Sequence, residues 1–301
     1  MQHRSQKLIL AARGGNLIYQ GSPVCQSFGN DRFYYTSCMM NCIYDCEYCY
    51  LKGMYPSANI VVFVNLEDYF EGIERMLKSG PLYLCVSYDT DLLALEPVTG
   101  YADAWSRFAA EHTNELKIEI RTKCTNKRFF ENQQPLSNVI YAFTLSPQAV
   151  VDCFEHETPS LAERIDCAAK AVSMGFPVRL CFDPMIYVPG WQQQYEAMLD
   201  QVFRSVAAEK LADVSVGSFR IPQDYLKKMR RQQPDSAAAW FPYEIEHGYY
   251  HYPKALMEEM EQFLVKRLRE SMCSEKIFLW EHLSNTLWKQ DWKAGKNGQE
   301  R

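Results

Sequence analysis

The sequence contains no segment that could cross a membrane and no excess of positive charge. Its longest apolar run, around residues 59–64, is far shorter than the roughly 20 residues that a membrane helix needs. The 301 residues carry a formal net charge of -5, which argues against a general nucleic-acid coat protein, because such binding depends on many phosphate-neutralising Lys and Arg side chains. The N-terminus also lacks the apolar region of a secretory signal. We therefore expect a cytoplasmic protein that does not bind membranes.

Several common functional patterns are missing as well. The chain has neither a Walker nor a Rossmann glycine pattern, its six histidines lack metal-ligand spacing, and no internal repeat is visible. These absences exclude a P-loop protein, a dinucleotide-binding fold and a repeat array. Hydrophobic residues make up 47% and charged residues 23%, close to the average of globular proteins, so the chain can bury a substantial core.

Short β-rich runs alternate with longer helical patterns, which is typical of βαβ units. The runs predict strands at residues 33–36, 60–64, 83–87, 117–121, 139–145, 178–182 and 214–219. Apolar residues at helical spacing predict helices over residues 66–77, 101–110, 160–174, 192–208 and 253–272. Ser160 and Glu163 match a capping box, and Gly175 stands where that helix should stop. The patterns favour an α/β barrel or partial barrel with its chemistry at the C-terminal strand ends, a doubly wound open sheet being the alternative.

The composition changes after residue 220. We place a domain boundary there, with residues 1–220 as a catalytic domain that includes an N-terminal extension, 1–32, and residues 221–301 as a C-terminal α+β region. One predicted helix carries a basic run that either grips phosphates or forms a solvated face: Arg220, Tyr225, Lys227, Lys228, Arg230 and Arg231. The segment 248–253 is either an aromatic platform for unstacked bases or a packed hairpin.

The chain contains an unusually large number of cysteines. Eleven cysteines without a secretory signal do not suggest a disulfide framework. Cys42, Cys46 and Cys49 form Cys-x3-Cys-x2-Cys, a spacing that lets three thiolates of one loop bind three irons of a cubane and leaves the fourth iron open to a small molecule. A structural zinc site would need a second ligand pair about 15 residues further on, which is absent. We therefore predict a 4Fe-4S cluster, with Cys38 as a packed thiol or, alternatively, a fourth ligand.

Two segments of the chain carry a family resemblance. They are CEYCYLKG followed by NIVVFVNLEDYFEGI, and FEHETPSLAERIDCAAKAVSMGFPVRLCFDPMIYVPGWQQQYEAML, within residues 33–199. Both resemble the spore photoproduct lyase family of the radical S-adenosylmethionine superfamily. The resemblance implies a partial (β/α)6 TIM-like barrel with a 4Fe-4S cluster and S-adenosylmethionine. It also implies a carbon–carbon lyase that repairs the thymine dimer 5-thyminyl-5,6-dihydrothymine in DNA through a 5'-deoxyadenosyl radical, with a flavodoxin- or ferredoxin-type electron donor.

The resemblance assigns roles to further residues. Tyr48 and Tyr50 match the tyrosines that flank the third cysteine of the motif, and the position of Tyr50 serves the family in relaying hydrogen to the cofactor. Four residues at the ends of predicted strands match positions that contact S-adenosylmethionine: Ser87, Thr90, Lys123 and Thr144. Tyr48 belongs to the same cofactor-binding set. All of them belong to strand ends or to the cysteine loop, where a barrel assembles its site.

The sequence departs from the family at one important position. Tyr88 stands where the lyases have their radical-quenching cysteine, and the nearest thiol, Cys85, is three residues earlier, on the opposite face of an extended strand. The hydrogen donor is then Tyr88, Cys85 or Cys124, and we place Tyr50, Tyr88 and Cys85 in the catalytic set. Two alternatives remain at this point. One is a family member with a different substrate, and the other is a non-catalytic binding protein with zinc or a closed cluster on four cysteines.

Overall fold

The computed structural model describes residues 5–22 and 25–280. Its strands are β1 (Leu8–Ala11), β2 (Ile18–Gln20), β3 (Phe33–Thr36), β4 (Met39–Met40), β5 (Asp45–Cys46), β6 (Ile60–Phe63), β7 (Leu82–Cys85), β8 (Leu116–Thr122), β9 (Val139–Thr144), β10 (Glu155–His156), β11 (Val178–Met185), β12 (Asp213–Ser218), β13 (Arg220–Pro222), β14 (Glu244–Glu246), β15 (Tyr249–His251) and β16 (Ile277–Leu279). Its α-helices are α1 (Leu51–Met54), α2 (Leu66–Leu77), α3 (Leu92–Thr99), α4 (Tyr101–Glu111), α5 (Lys127–Glu131), α6 (Gln148–Phe154), α7 (Leu161–Ser173), α8 (Trp191–Ser205), α9 (Gln223–Gln232) and α10 (Lys254–Arg269). Within the described ranges, no helix combines the length and the apolar character of a membrane span.

One mostly parallel sheet organises the molecule. Its strand order is β2-β3-β7-β8-β9-β11-β12-β16, and only β2 pairs antiparallel with its neighbour. Every residue of β9 and of β12 is buried, as expected for parallel strands covered on both faces. In the described part of the chain, β2 and β16 form the two edges, so the sheet is open. The predicted α/β fold with six barrel-type strands, β3, β7, β8, β9, β11 and β12, is confirmed.

Local sequence signals explain where the main elements begin and end. The predicted capping box of α7 is present, because the Ser160 hydroxyl accepts from the Glu163 amide at 3.3 Å and the Glu163 carboxylate accepts from the Ser160 amide at 2.8 Å. Gly175 follows that helix with a φ of 88°, a conformation that favours glycine. All seven predicted strands and all five predicted helices form, with bounds that differ by three residues or fewer.

The structure gives one predicted strand its pairing partners and corrects the placement of one predicted helix residue. The strand at residues 60–64 exists as β6, but it lies in a separate three-stranded sheet of order β1-β6-β4, because an apolar run does not specify its pairing partner. Arg220 was expected in the basic helix but lies in β13. The helix begins only after Pro222, since the residue preceding a proline disfavours the helical conformation.

The region after residue 220 packs closely on the rest. Strands β13, β15 and β14 form a small antiparallel sheet, so the aromatic segment 248–253 belongs to a hairpin whose Tyr252 packs against Phe241 and Tyr243. Strand β16 pairs in parallel with β12 and extends the main sheet. The boundary at residue 220 stays a prediction, and the outer ends of the two predicted regions, 1–4 and 281–301, lie outside the described residues.

The two faces of the main sheet differ in character. Leu82 and Leu84 of β7 point into the main core, whereas Tyr83 between them belongs to a small second cluster with Phe28 and Ile140. We call the face that carries Tyr83 the inner face. Residues 25–28, here called the inner segment, lie against it: the Phe28 ring is 6.0 Å from that of Tyr83 and 5.2 Å from that of Phe278. The Gln26 amide also donates to the Leu279 carbonyl at 3.0 Å.

The inner face holds a buried charged cluster. The guanidinium of Arg179 donates to Glu119 and to Asp213, with 2.8 Å between Nη2 and Oδ2 of Asp213. It also donates to the Tyr83 hydroxyl at 2.6 Å and lies 3.1 Å from the centre of the Phe28 ring. One arginine therefore connects β7, β8, β11 and β12 with the inner segment.

Candidate active site

The three motif cysteines lie in the loop between β4 and α1. All eleven cysteines of the chain are free thiols. Cys46 is held in β5 by its pairing with β10, and the Cys49 amide donates to the Cys46 carbonyl at 3.2 Å. Burial raises the pKa of all three thiols, of Cys46 to about 12. The negative charge of Asp91 raises the pKa of Cys42 further, and Cys49 and Cys46 add to this effect.

The donor set of this loop consists of cysteine thiols alone, which is the ligand chemistry of iron–sulfur clusters. Among residues 5–22 and 25–280, no three His, Cys, Asp or Glu side chains are arranged to hold one metal ion.

Cys38 is a packed thiol, as its position before the motif predicts. Its side chain is fully buried in the main core, where Sγ lies 4.0 Å from the Val86 carbonyl oxygen. A tetrahedral zinc site would gather four thiols around one ion. The described residues contain no such group.

A buried polar network adjoins Cys46. The Lys123 ammonium lies 3.4 Å from Cys46 Sγ, 2.9 Å from the Tyr48 hydroxyl and 3.4 Å from the Glu155 carboxylate. Arg164 contacts the same carboxylate at 2.6 Å, with both side chains fully buried. Burial acts to raise the pKa of Glu155, but Lys123 and Arg164 outweigh it and lower the pKa to about 2. The structure thus brings the predicted residues Tyr48 and Lys123 together beside the cysteine loop.

Glu155 was not identified from the sequence. Strand β10 is only two residues long, and its pairing with β5 places Glu155 directly beside Cys46. A signal for it does exist in the sequence. Arg164 occupies an apolar position of the α7 pattern, and a buried arginine requires a carboxylate partner.

The predicted cofactor residues at the strand ends differ in whether their side chains have a hydrogen-bonding partner. The Ser87 hydroxyl accepts from the Arg121 amide at 2.6 Å, and Thr144 is buried at the end of β9. The hydroxyl of Thr90 is buried as well, and no group among the described residues hydrogen-bonds to it. A buried hydroxyl without a partner is unfavourable, so Thr90 offers a hydrogen-bonding position to a bound molecule.

Two carboxylates beside Thr90 escaped the sequence analysis as site residues. Asp91 accepts from the Thr122 hydroxyl and from the Lys123 amide, both at 2.7 Å, and so ties the end of β8 to the start of α3. Asp89 accepts from the Tyr55 hydroxyl at 2.7 Å and is contacted by the Tyr50 hydroxyl at 3.4 Å. These contacts fix the backbone on both sides of Thr90.

Tyr50 and Tyr88 meet at the end of β7. The Tyr50 hydroxyl donates to the Tyr88 carbonyl, and the two ring centres are 5.9 Å apart. The Tyr88 ring stacks on Tyr35 with 4.1 Å between centres. Its hydroxyl oxygen lies 3.4 Å from Sγ of Cys25, a residue that the sequence analysis did not select.

The two other candidate thiols have different surroundings. Strand β7 ends at Cys85, so the alternation of an extended strand does not continue to Tyr88. Cys85 lies on the inner face with Sγ 4.0 Å from the Glu119 carboxylate. The pKa of Cys124 is raised to about 11, mainly by burial and then by Asp91, and its side chain contacts Tyr44.

The basic helix packs directly on the cysteine loop. Helix α9 contacts α1, and a Cβ on Gly53 would lie 2.5 Å from the backbone of Tyr225. Arg230 is engaged in packing, since its guanidinium stacks 5.1 Å from the ring centre of Trp240 and 5.2 Å from that of Tyr250. The exposed cations of this helix are Lys227, Lys228 and Arg231.

Comparison with known proteins identifies a family and several similar proteins. A family model described as spore photoproduct lyase matches residues 33–279. The spore photoproduct lyase of Clostridium acetobutylicum is 25% identical over 268 residues, covering 75% of this chain and 70% of the relative. That of Bacillus subtilis is 22% identical over 245 residues, covering 74% and 70%. A solved variant of spore photoproduct lyase, with bound AdoMet and dinucleoside spore photoproduct, has a TM-score of 0.74 at 16% identity, covering 91% of this chain and 82% of that chain, which shows a shared fold.

Proposed function

Because the chain belongs to the spore photoproduct lyase family, we propose that it is a radical S-adenosylmethionine enzyme that repairs the thymine dimer 5-thyminyl-5,6-dihydrothymine in DNA. The observation that carries the proposal is the set of three free thiols in one loop, with Cys46 beside the buried Lys123–Glu155 network. In this proposal the reaction is a carbon–carbon bond cleavage.

Cys42, Cys46 and Cys49 would hold the 4Fe-4S cluster. When bound and reduced by a flavodoxin- or ferredoxin-type donor, the cluster and S-adenosylmethionine supply a carbon-centred radical that removes one hydrogen atom from the substrate. Lys123 would keep a positive charge beside the cysteine loop. This charge favours the thiolate form of Cys46 that a metal requires.

Four polar residues would orient S-adenosylmethionine. The free hydroxyl of Thr90 is the strongest candidate contact. Ser87 and Thr144 lie at the ends of β7 and β9, and Tyr48 lies in the cysteine loop. Asp91 would act indirectly, because its bonds to Thr122 and to the Lys123 amide fix the loop that carries Thr90.

The return of a hydrogen atom to the substrate radical would involve Tyr50 and Tyr88, with Cys85 as a further candidate. Burial raises the pKa of Tyr88 well above that of a free tyrosine, so its phenol keeps its hydrogen at neutral pH. Transfer of a hydrogen atom requires this protonated form. The contact of Tyr50 with the Tyr88 carbonyl orients the two rings toward each other.

DNA would approach from the C-terminal region, which we propose as the recognition part of residues 221–301. The exposed Lys227, Lys228 and Arg231 provide local positive charge on a chain that is negative overall. Since α9 rests on the cysteine loop, a phosphate contact there would lie close to the reacting centre.

The test is product analysis after anaerobic reconstitution. The reduced protein is incubated with S-adenosylmethionine and dinucleoside spore photoproduct, and the matched control is Cys46→Ala. We expect thymidylyl-thymidine and 5'-deoxyadenosine with the unmodified chain and neither with Cys46→Ala. Formation of 5'-deoxyadenosine with an intact dimer would refute this substrate and favour a different one for the same radical chemistry.

A further inference from the structure

We propose that Cys25 is the thiol that gives a hydrogen atom to the substrate radical and that the Tyr88 hydroxyl restores it. The two groups are in contact, with 3.4 Å between Sγ of Cys25 and the Tyr88 oxygen, and either can donate a hydrogen bond to the other. The inference rests on the proposed function and names a residue of that same site.

The inner segment brings Cys25 to the site. Phe28 anchors this segment against Tyr83 and Phe278, and Gln26 binds the carbonyl of Leu279. The anchors place Cys25 at the end of β7, next to Tyr88, although the two residues are 63 positions apart in the chain.

Cys25 lies near charged side chains and near the β14–β15 hairpin. Arg121, Arg220 and Asp183 lie near enough for their charges to affect the pKa of its thiol, and Cys25 in turn affects the pKa of Tyr249 in the β14–β15 hairpin. Burial is the main influence and raises the pKa of Cys25, so the thiol is protonated at neutral pH. Arginine side chains and an aromatic hairpin are the groups that bind phosphates and stack on bases.

The aromatic cluster behind Cys25 completes the relay. Tyr88 touches Cys25 through its hydroxyl, stacks on Tyr35 and is tilted against Tyr50, which adjoins Cys49. Tyr88 thus contacts both Cys25 and Tyr50, and Tyr50 directly follows Cys49 in the chain.

The other thiols lack this combination. Cys85 is directed toward Glu119, with Sγ 4.0 Å from the carboxylate. Cys124 contacts Tyr44 and Asp91 instead of the tyrosines at the end of β7. Cys25 is the thiol that hydrogen-bonds to the tyrosine at the position where the family has its cysteine.

The proposed steps balance in atoms and electrons. The S–H bond of Cys25 breaks and a C–H bond forms on the substrate radical, which leaves a thiyl radical on Cys25. The O–H bond of Tyr88 then breaks and the S–H bond re-forms, which leaves a phenoxyl radical on Tyr88. One electron from the flavodoxin- or ferredoxin-type donor and one proton from solvent restore the phenol.

The test compares products from Cys25→Ala, Cys25→Ser and the exposed-cysteine control Cys153→Ala. We expect both Cys25 variants to consume dinucleoside spore photoproduct and form 5'-deoxyadenosine, but to lose most of the thymidylyl-thymidine to by-products of an unquenched radical. Cys153→Ala should repair cleanly. Clean repair by both Cys25 variants would overturn the inference, as would by-products from Cys85→Ala alone. If the unmodified chain consumes no dimer, the proposed function has failed instead.

A second measurement needs no catalysis. The infrared S–H stretch of the metal-free protein is recorded for the unmodified chain, Tyr88→Phe and Cys25→Ala. The band that disappears in Cys25→Ala should shift in Tyr88→Phe, because a hydrogen bond changes the S–H stretching frequency. An unshifted band would show that the two side chains are not in contact, and would also overturn the inference.

Discussion

Replacing Arg179 by methionine tests whether the inner face is held by its buried charges. Arg179→Met keeps most of the side-chain volume but removes the guanidinium that links Glu119, Asp213 and the Tyr83 hydroxyl. Arg179 and Glu119 expose only 1% and 3% of their side chains, so little water can replace the lost partner. Removing one partner of a buried ion pair costs about 3–5 kcal/mol.

This cost is large enough to measure by thermal unfolding. For a chain of this size, each kcal/mol lowers the melting temperature by about 2–4 °C, so the expected loss is roughly 6–20 °C. The assay is circular dichroism of the metal-free protein on heating, repeated as urea unfolding at constant temperature. The loss should be accompanied by weaker anchoring of Phe28, since the guanidinium lies 3.1 Å from its ring centre.

The matched control is Arg75→Met. Arg75 pairs with Glu71 at 3.7 Å on the surface of α2, where both side chains are 67% exposed. Exposed helix pairs of this kind contribute only about 0.3–0.5 kcal/mol, so the control should melt close to the unmodified chain. Equal melting temperatures for the two variants would refute the view that this cluster stabilises the inner face.

Three further predictions concern the cysteine loop and the buried acid. Cys46→Ala should abolish the broad visible absorption of a reconstituted cluster and Cys38→Ala should keep it, which absorption spectra can check; loss in both would make Cys38 a ligand. Gly53→Ala should destabilise the chain by about 1–3 kcal/mol, because the added Cβ would lie 2.5 Å from the backbone of α9, whereas Gly14→Ala has open space and should be silent in the same melt. The pKa of Glu119 is lowered because its neighbouring arginines outweigh burial, so its stabilisation is present above the ordinary carboxyl pKa and is lost as the pH falls below it. Glu119→Gln should therefore flatten the acid side of the stability profile, and an unchanged profile would contradict this assignment.

Local patterns were sufficient to predict seven strands and five helices, but not elements such as α3, α5 and α6. Strands such as β9 and helices such as α2 formed at or near the predicted bounds, because continuous apolar runs and helical spacing both report burial. The cysteine spacing likewise predicted metal ligands within one short loop. These signals lie within a few residues of one another in the chain.

The long-range part of the site could not be predicted in this way. Glu155 reaches Cys46 through a two-residue strand, and Cys25 reaches Tyr88 across 63 positions. Neither pairing leaves a periodic pattern in the sequence. Strand β16 joins the main sheet from a region predicted to be separate, because a strand of three residues gives no clear sequence signal.

The inner segment positions a reactive group, the Cys25 thiol, without making it part of a strand of the sheet. Side chains on the strands are fixed in register by the ladder of backbone hydrogen bonds, so moving one of them disturbs its neighbours. Cys25 is held instead by the hydrogen bond of its amide to the Ser22 carbonyl, at 2.9 Å, and by the contacts of Phe28 and Gln26. Insertions or substitutions in that segment can move the sulfur atom while every strand keeps its partners. A fold with such a segment can acquire a new position for its hydrogen donor, and with it a new product, while its sheet stays unchanged.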